Sequence, residues 1–204
     1  SAPYYSPDGY SVGASWIPHQ LIYWKSMLDY NKLDRAHQIA DAVMNTFTFE
    51  CDETYQCYEN TRLSTGRASG WHNFSGLSSP VVNWFYSYYC KGTVSTGMDA
   101  MVVSKKMATD YSSCEFTLEF DKDAVGREMA VVVCLDETKQ YSATAKGKEL
   151  QTVRFRNKVT GWQNSHFTAV YEEGRDDEAE ATGAALPDLS EGEKASASSI
   201  SAHL

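Results

Sequence analysis

The chain changes its hydrophobic period near residue 92, and this change restricts its fold more than any other feature. Before residue 92, residues 16–29 are apolar nearly all round, and apolar residues recur every three or four positions in 36–47, which predicts two packed helices. Asp34 is expected to cap the second helix, and a short link makes the two antiparallel neighbours. A loop is expected over 60–78, and Ser79 followed by Pro80 predicts the cap and first turn of a third helix.

After Thr93 the pattern becomes that of strands. Apolar and polar residues alternate in 114–120, which predicts a strand with one buried face. Runs typical of further strands follow at 129–135, 140–145, 150–155 and 166–171, and turn-rich segments separate them. This spacing favours an antiparallel sandwich or sheet, so the chain as a whole is predicted to be α+β.

The last part of the chain has a different composition. Beyond Glu173 it consists largely of Ala, Ser, Glu, Asp and Gly, which predicts a disordered tail. From Glu172 onward nine acidic residues oppose only Arg175 and Lys194, so the tail holds most of the formal charge of −9. We therefore predict a helical region (1–92), an antiparallel β domain (93–172) and an acidic low-complexity tail (173–204).

Composition excludes several classes of protein and site. The net charge of −9 argues against a nucleic-acid partner. No stretch approaches the roughly 18 apolar residues of a membrane span, so no membrane partner is expected. Five cysteines occur without a C-x-x-C pair, which argues against a metal site, and Cys51 and Cys57 could close a small loop or remain thiols. No targeting segment is visible, which leaves a cytoplasmic and a secreted location both open.

Segment 57–82 concentrates residues suited to binding and catalysis. It combines a carboxylate, amides, arginines and aromatic rings: Glu59, Asn60, Arg62, Arg67, Trp71, His72, Asn73 and Phe74. Sugars are bound by such mixtures, because ring faces cover C–H surfaces while the polar groups pair with hydroxyls. The same aromatic residues could instead anchor the loop on the core. Glycoside hydrolysis needs two carboxyl groups, and spacing alone leaves Asp8, Asp52 and Glu53 open as the partner of Glu59.

Two motifs in this part of the chain occur in a fixed order. The first is SVGASWIPHQLIYWKSMLDYNKLDRAHQIADAVM, in which Asn31 stands where the related pattern has Gly. The second is an aromatic-Glu-Asn sequence at 58–60, a Thr-Gly turn and then GWHNFSGLS. Together they resemble the C-terminal signature of the inverting (α/α)6-barrel, or six-hairpin, glycoside hydrolases, a group that includes trehalases and processing α-glucosidases. The resemblance implies that 1–92 forms the C-terminal helices of such a barrel.

The resemblance also implies roles for individual residues. Glu59 falls on the general base that activates water for inverting hydrolysis of an O-glycosidic bond, expected in an α-glucoside-like sugar. The residues expected to bind substrate are Trp16, His19, Gln20, Asn60, Trp71, His72 and Phe74. No metal or organic cofactor is implied.

The complete barrel needs many more helices than the three predicted here. The resemblance therefore implies that the general acid lies outside this chain, and that a larger companion chain or a further N-terminal segment supplies the rest of the barrel. Two other functions stay open, namely a non-catalytic carbohydrate-binding protein and a structural subunit that completes a partner's barrel.

Overall fold

The computed structural model describes residues 3–124, 126–156, 163–170, 179–180, 185–186 and 200–202. Its helices are α1 (Ile17–Asp29), α2 (Leu33–Thr54) and α3 (Ser75–Tyr89). Its strands are β1 (Tyr58–Thr61), β2 (Ala68–His72), β3 (Thr93–Ser95), β4 (Ala100–Met107), β5 (Cys114–Phe120), β6 (Glu128–Cys134), β7 (Gln140–Tyr141), β8 (Thr144–Ala145), β9 (Lys148–Arg156), β10 (Gln163–Val170), β11 (Ala179–Glu180), β12 (Ala185–Leu186) and β13 (Ile200–Ala202). This content confirms the α+β prediction, whereas the (α/α)6 barrel stays a prediction.

The described strands pair in an antiparallel manner. β1 and β2 form a separate hairpin between α2 and α3. The largest sheet has the order β13-β9-β10-β6-β3, with β8 also paired to β9, and a three-stranded sheet has the order β11-β5-β4. These sheets carry the strand runs that the alternation predicts after Thr93.

Strand β6 lies between the helices and the three-stranded sheet. Val131 and Val133 pack in one core with Phe116 of β5, whereas Ala130 and Val132 pack in a second core with the helices. Six consecutive residues of β6 are buried, which explains its unbroken apolar sequence. The helices on either side of the β1–β2 hairpin therefore rest on the sheet.

The link between α1 and α2 contains one residue whose backbone is left-handed. Asn31 has φ 52°, a conformation that glycine and asparagine tolerate best. Lys32 donates its N–H to the Met27 carbonyl at 2.7 Å, which closes the end of α1. The predicted capping role of Asp34 is wrong, because α2 begins at Leu33 and its first turn has no side-chain cap.

The start of α3 also differs from the prediction. The helix begins at Ser75, so Pro80 lies inside it and not in its first turn. Proline has no N–H for the carbonyl four residues earlier, here that of Gly76. The Ser79 hydroxyl donates to this carbonyl at 2.8 Å and replaces the missing bond. Ser79 therefore satisfies a carbonyl in the interior of the helix and does not cap the start of the helix.

Two further expectations need correction or fall largely outside the described residues. The loop predicted over 60–78 contains β2 and the first turn of α3, and β1 begins just before it. Most of the predicted acidic tail, 173–204, lies outside the described residues. Within it, β11, β12 and β13 pair with β5, β7 and β9. No helix among the described residues is long and apolar enough to cross a bilayer.

Candidate functional site

The β1–β2 hairpin has a register shift at Glu59. Tyr58 pairs with His72 and Asn60 pairs with Ser69, so that both Gly70 and Trp71 lie opposite Glu59. An extra residue of this kind is a β-bulge, which bends the ladder and redirects a side chain. The bulge thus sets the direction of the carboxylate that the sequence marks as the candidate base.

Two donors hold the half-buried Glu59 carboxylate. The Tyr10 hydroxyl donates to Glu59 Oε1, and the Trp71 backbone N–H donates to Oε2 at 3.3 Å. The hydrogen bond to Glu59 raises the pKa of Tyr10, with burial acting in the same direction. Tyr10 therefore stays a protonated donor at neutral pH, and one face of the carboxylate is fixed by the N-terminal loop.

The N-terminal loop brings Trp16 to the same place. The Tyr10 and Trp16 rings meet edge to face, with centroids 4.9 Å apart, and Trp16 Nε1–H donates to the Tyr10 carbonyl at 2.9 Å. Ser15 and Thr61 exchange two backbone hydrogen bonds of 2.8 and 2.9 Å, which ties the loop to the end of β1. The predicted residues Trp16 and Glu59 are thus connected through Tyr10.

Exposed aromatic side chains lie at the end of β2, where the Trp71 backbone N–H bonds Glu59. Trp71 is 70% exposed, and its indole stacks on the His72 ring at 6.2 Å with an interplanar angle of 9°. Phe74, just beyond β2, is 40% exposed. Exposed rings next to a held carboxylate offer stacking for a C–H surface and an acceptor for a hydroxyl or water.

Gly70 makes this arrangement possible, and alanine in its place is expected to disrupt it. A Cβ at Gly70 would lie 2.7 Å from Glu59 Oε2 and 2.9 Å from Asn60 Nδ2, and the backbone has φ +81°. Gly70→Ala is expected to lower the free energy of unfolding by about 2 kcal/mol, through backbone strain and displacement of Glu59. Urea unfolding followed by tryptophan fluorescence measures the change.

Gly66→Ala is the matched control for this change. Gly66 also has positive φ, at +68°, but nothing lies within 4 Å of the added Cβ. Gly66→Ala carries the backbone strain alone, so it should be milder than Gly70→Ala. Equal losses of stability in the two variants would show that contact with Glu59 contributes nothing.

The structure does not bring all predicted site residues together. His19 is exposed in the first turn of α1 and makes no hydrogen bond or ring contact among the described residues. Gln20 and Asn60 line a cavity of about 400 Å³ between α1, α2 and the hairpin, and Glu59, Trp16 and Trp71 are not among the described residues that line it. The predicted set is therefore divided between an exposed aromatic cluster around Glu59 and a separate cavity.

An ion pair between α2 and the residue before β2 holds the hairpin, and the sequence patterns do not indicate it. Glu50 near the end of α2 is 5% exposed, and its carboxylate pairs with the Arg67 guanidinium and accepts the Ala68 N–H at 3.0 Å. Burial acts to raise the pKa of Glu50, but the bonds from Arg67 and Ala68 prevail and lower it. Arg67 also lies over the Phe49 ring at 5.0 Å. The pair anchors β2 to α2.

The sequence patterns do not indicate Tyr10 as a partner of Glu59 either. It lies 49 residues from Glu59, and only the fold of the loop shows their hydrogen bond. Its position in an Asp-Gly-Tyr turn carries no signal for this role.

Comparison of the chain with protein-family models, curated proteins and solved structures found no match.

Proposed function

We propose that this chain forms part of an inverting glycoside hydrolase acting on an O-glycosidic bond of an α-glucoside-like sugar. The observation that carries the proposal is the Glu59 carboxylate, held by Tyr10 and the Trp71 N–H beside the exposed indole of Trp71. A sugar ring stacked on the indole would place its anomeric carbon near a fixed carboxylate.

In this proposal Glu59 acts as general base. It removes a proton from a water molecule, the water attacks the anomeric carbon, and the glycosidic oxygen leaves with a proton from a second carboxyl group. Tyr10 and the Trp71 N–H orient Glu59 and take no proton. An inverting enzyme keeps its two carboxyl groups about 6.5–9.5 Å apart to accommodate the water.

The general acid is proposed to come from outside this chain. Asp8 is poorly suited to the role, because hydrogen bonds from Ser64 lower the pKa of its carboxyl against an opposing effect of burial. Asp52 and Glu53 are exposed at the end of α2. A group that must donate a proton at neutral pH needs the opposite shift.

A larger companion chain, or a further segment, is proposed to complete the barrel. Apolar side chains that are about half exposed lie on α1 and α3: Ile22, Tyr23, Val82, Phe85 and Tyr86. Helix faces of this kind are normally buried against other elements. They support a partner for the helical region, which would supply the general acid as well.

Hydrolysis assays on the complete native assembly, which compare the parent chain with Glu59→Gln, test the proposal. Glu59→Gln should lower kcat by about 100-fold or more, because it removes the base, while sugar binding is retained. Glu119→Gln, at an exposed glutamate of β5, is the matched control and should leave kcat unchanged. NMR of the product that the parent enzyme first releases should show the inverted anomer.

Three results would redirect the interpretation. A retained anomer, or full hydrolysis by Glu59→Gln, would overturn the proposed role of Glu59. Sugar binding that depends on Trp71 without hydrolysis in any particle would favour a carbohydrate-binding protein. Purification only with a larger chain that is fully active without Glu59 would favour a structural subunit.

A further inference from the structure

The cavity behind the hairpin has the dimensions and lining of a small-molecule site. Its volume is about 400 Å³, within the range of about 300–1,000 Å³ typical of ligand pockets. Aliphatic walls come from α1, α2 and the loop after β1: Ile17, Ile39, Val43 and Leu63. Pockets of this kind bind a ligand when a few polar groups converge on the apolar walls.

Three side-chain amides provide such groups. Asn60 lines the cavity, is 5% exposed, and makes no side-chain hydrogen bond with any residue in the described part of the chain. The side chains of Gln20 and Gln56 line the same cavity and likewise have no hydrogen-bond partner among the described residues. The Asn60 amide atoms are not among the described side-chain atoms that are fully buried without a partner, so they stay accessible and are available to a group that enters the cavity.

The charges in the wall restrict the chemistry of that partner. The Glu50 carboxylate is already paired with Arg67 and the Ala68 N–H. Arg35 and Arg62 are exposed, and they donate to Gln38 and Ser69. Both arginines line the cavity and keep further N–H donors, and the amides and hydroxyls beside them both donate and accept hydrogen bonds. Hydroxyl groups on a compact ring can accept from the arginines and pair with the amides, so they match this lining better than a wholly apolar ligand does.

We propose that this cavity is a second binding site, for a hydroxyl-rich ligand of monosaccharide size, with Asn60 as its central hydrogen-bonding group. Glu59 and Asn60 are neighbours on β1, but only Asn60 lines the cavity. Asn60 Nδ2 and Glu59 Oε2 both approach Gly70, so the two sites adjoin, but the cavity proposal does not depend on Glu59 acting as a base.

Calorimetric titration with D-glucose tests the site, in a Trp71→Ala background that weakens binding at the aromatic cluster. Glucose should bind, and cyclohexanol, a ring of similar size with a single hydroxyl, should bind at least about tenfold more weakly. Asn60→Leu should raise the Kd for glucose by about tenfold, because it removes the buried amide. Circular dichroism verifies that the variant is folded.

A second variant keeps the test valid if Asn60→Leu fails to fold. Ala42 is an exposed residue of α2 that lines the cavity, so Ala42→Trp should block it and abolish glucose binding. Asn45→Trp, at an exposed α2 position that is not among the lining residues, should leave binding unchanged. The same glucose affinity in the parent and in Ala42→Trp would overturn the proposal.

Other outcomes also separate this site from the proposed hydrolase. Equal affinity for glucose and cyclohexanol, or no saturable glucose binding, would overturn the cavity proposal while leaving Glu59 as the base. Glucose binding that is lost in Ala42→Trp but kept in Glu59→Gln would support the cavity even in a particle that hydrolyses nothing.

Discussion

Replacing Asp29 by alanine is expected to lower the free energy of unfolding by about 3–5 kcal/mol. Asp29, at the end of α1, is 1% exposed, and its carboxylate accepts the Met98 N–H at 2.9 Å and the Asp99 N–H at 3.1 Å. The change would leave both N–H groups buried without their acceptor. It would also remove the connection between α1 and the loop between β3 and β4.

Lys25 adds to this expected effect. Its ammonium donates to the Gly97 carbonyl at 3.1 Å, and burial lowers the pKa of Lys25 while Asp29 acts to raise it. Without Asp29, this half-buried cation loses its favourable charge interaction. Gly97 belongs to the same arrangement, since any Cβ there would overlap the Asp29 carboxylate.

Urea unfolding followed by circular dichroism measures the loss. Asp29→Asn keeps the size and one acceptor oxygen, so it should give an intermediate value. Asp52→Ala, at an exposed position of α2, should stay within about 0.5 kcal/mol of the parent. If Asp29→Ala is as mild as Asp52→Ala, the carboxylate does not join α1 to the loop in solution.

The parts of the fold that were predicted correctly are those with a dense or periodic run of apolar residues. Residues 16–29 and 114–120 match α1 and β5 to within one residue. β5 buries alternate side chains, and its period of two is the direct consequence of that burial, whereas α1 was predicted from a segment that is apolar nearly all round. The apolar run at 129–135 predicts β6 for the same reason, although it does not show that the strand has helices on one face and a sheet on the other.

The parts that were missed have no such period. β1 and β2 are short and mostly polar, and their hairpin depends on the Glu50–Arg67 pair and on a bulge at Gly70. The contact of Tyr10 with Glu59 joins residues 49 positions apart. Local patterns cannot show such contacts, which is why the residue types of the site were predictable but its division into a cluster and a cavity was not.

Trp24→Ala is expected to destabilise the fold by about 3–5 kcal/mol, because it opens a large void in the helical core. Trp24 is 1% exposed, and its ring meets Trp84 and Tyr88 edge to face at centroid distances of 6.4 and 6.1 Å. Its Nε1–H also donates to the Tyr88 hydroxyl at 2.8 Å. Thermal and urea unfolding of the variant measure the loss.

Two phenylalanine variants separate the packing of Trp24 from its hydrogen bond. Trp84 is fully buried as well, but its Nε1–H has no hydrogen-bond partner among the described residues. Trp24→Phe and Trp84→Phe remove similar volumes, yet only Trp24→Phe removes a donor to Tyr88. Trp24→Phe should therefore be more destabilising by about 1 kcal/mol. Equal losses would mean that the indole of Trp24 contributes through its volume alone, because the hydrogen bond to Tyr88 then adds nothing to stability.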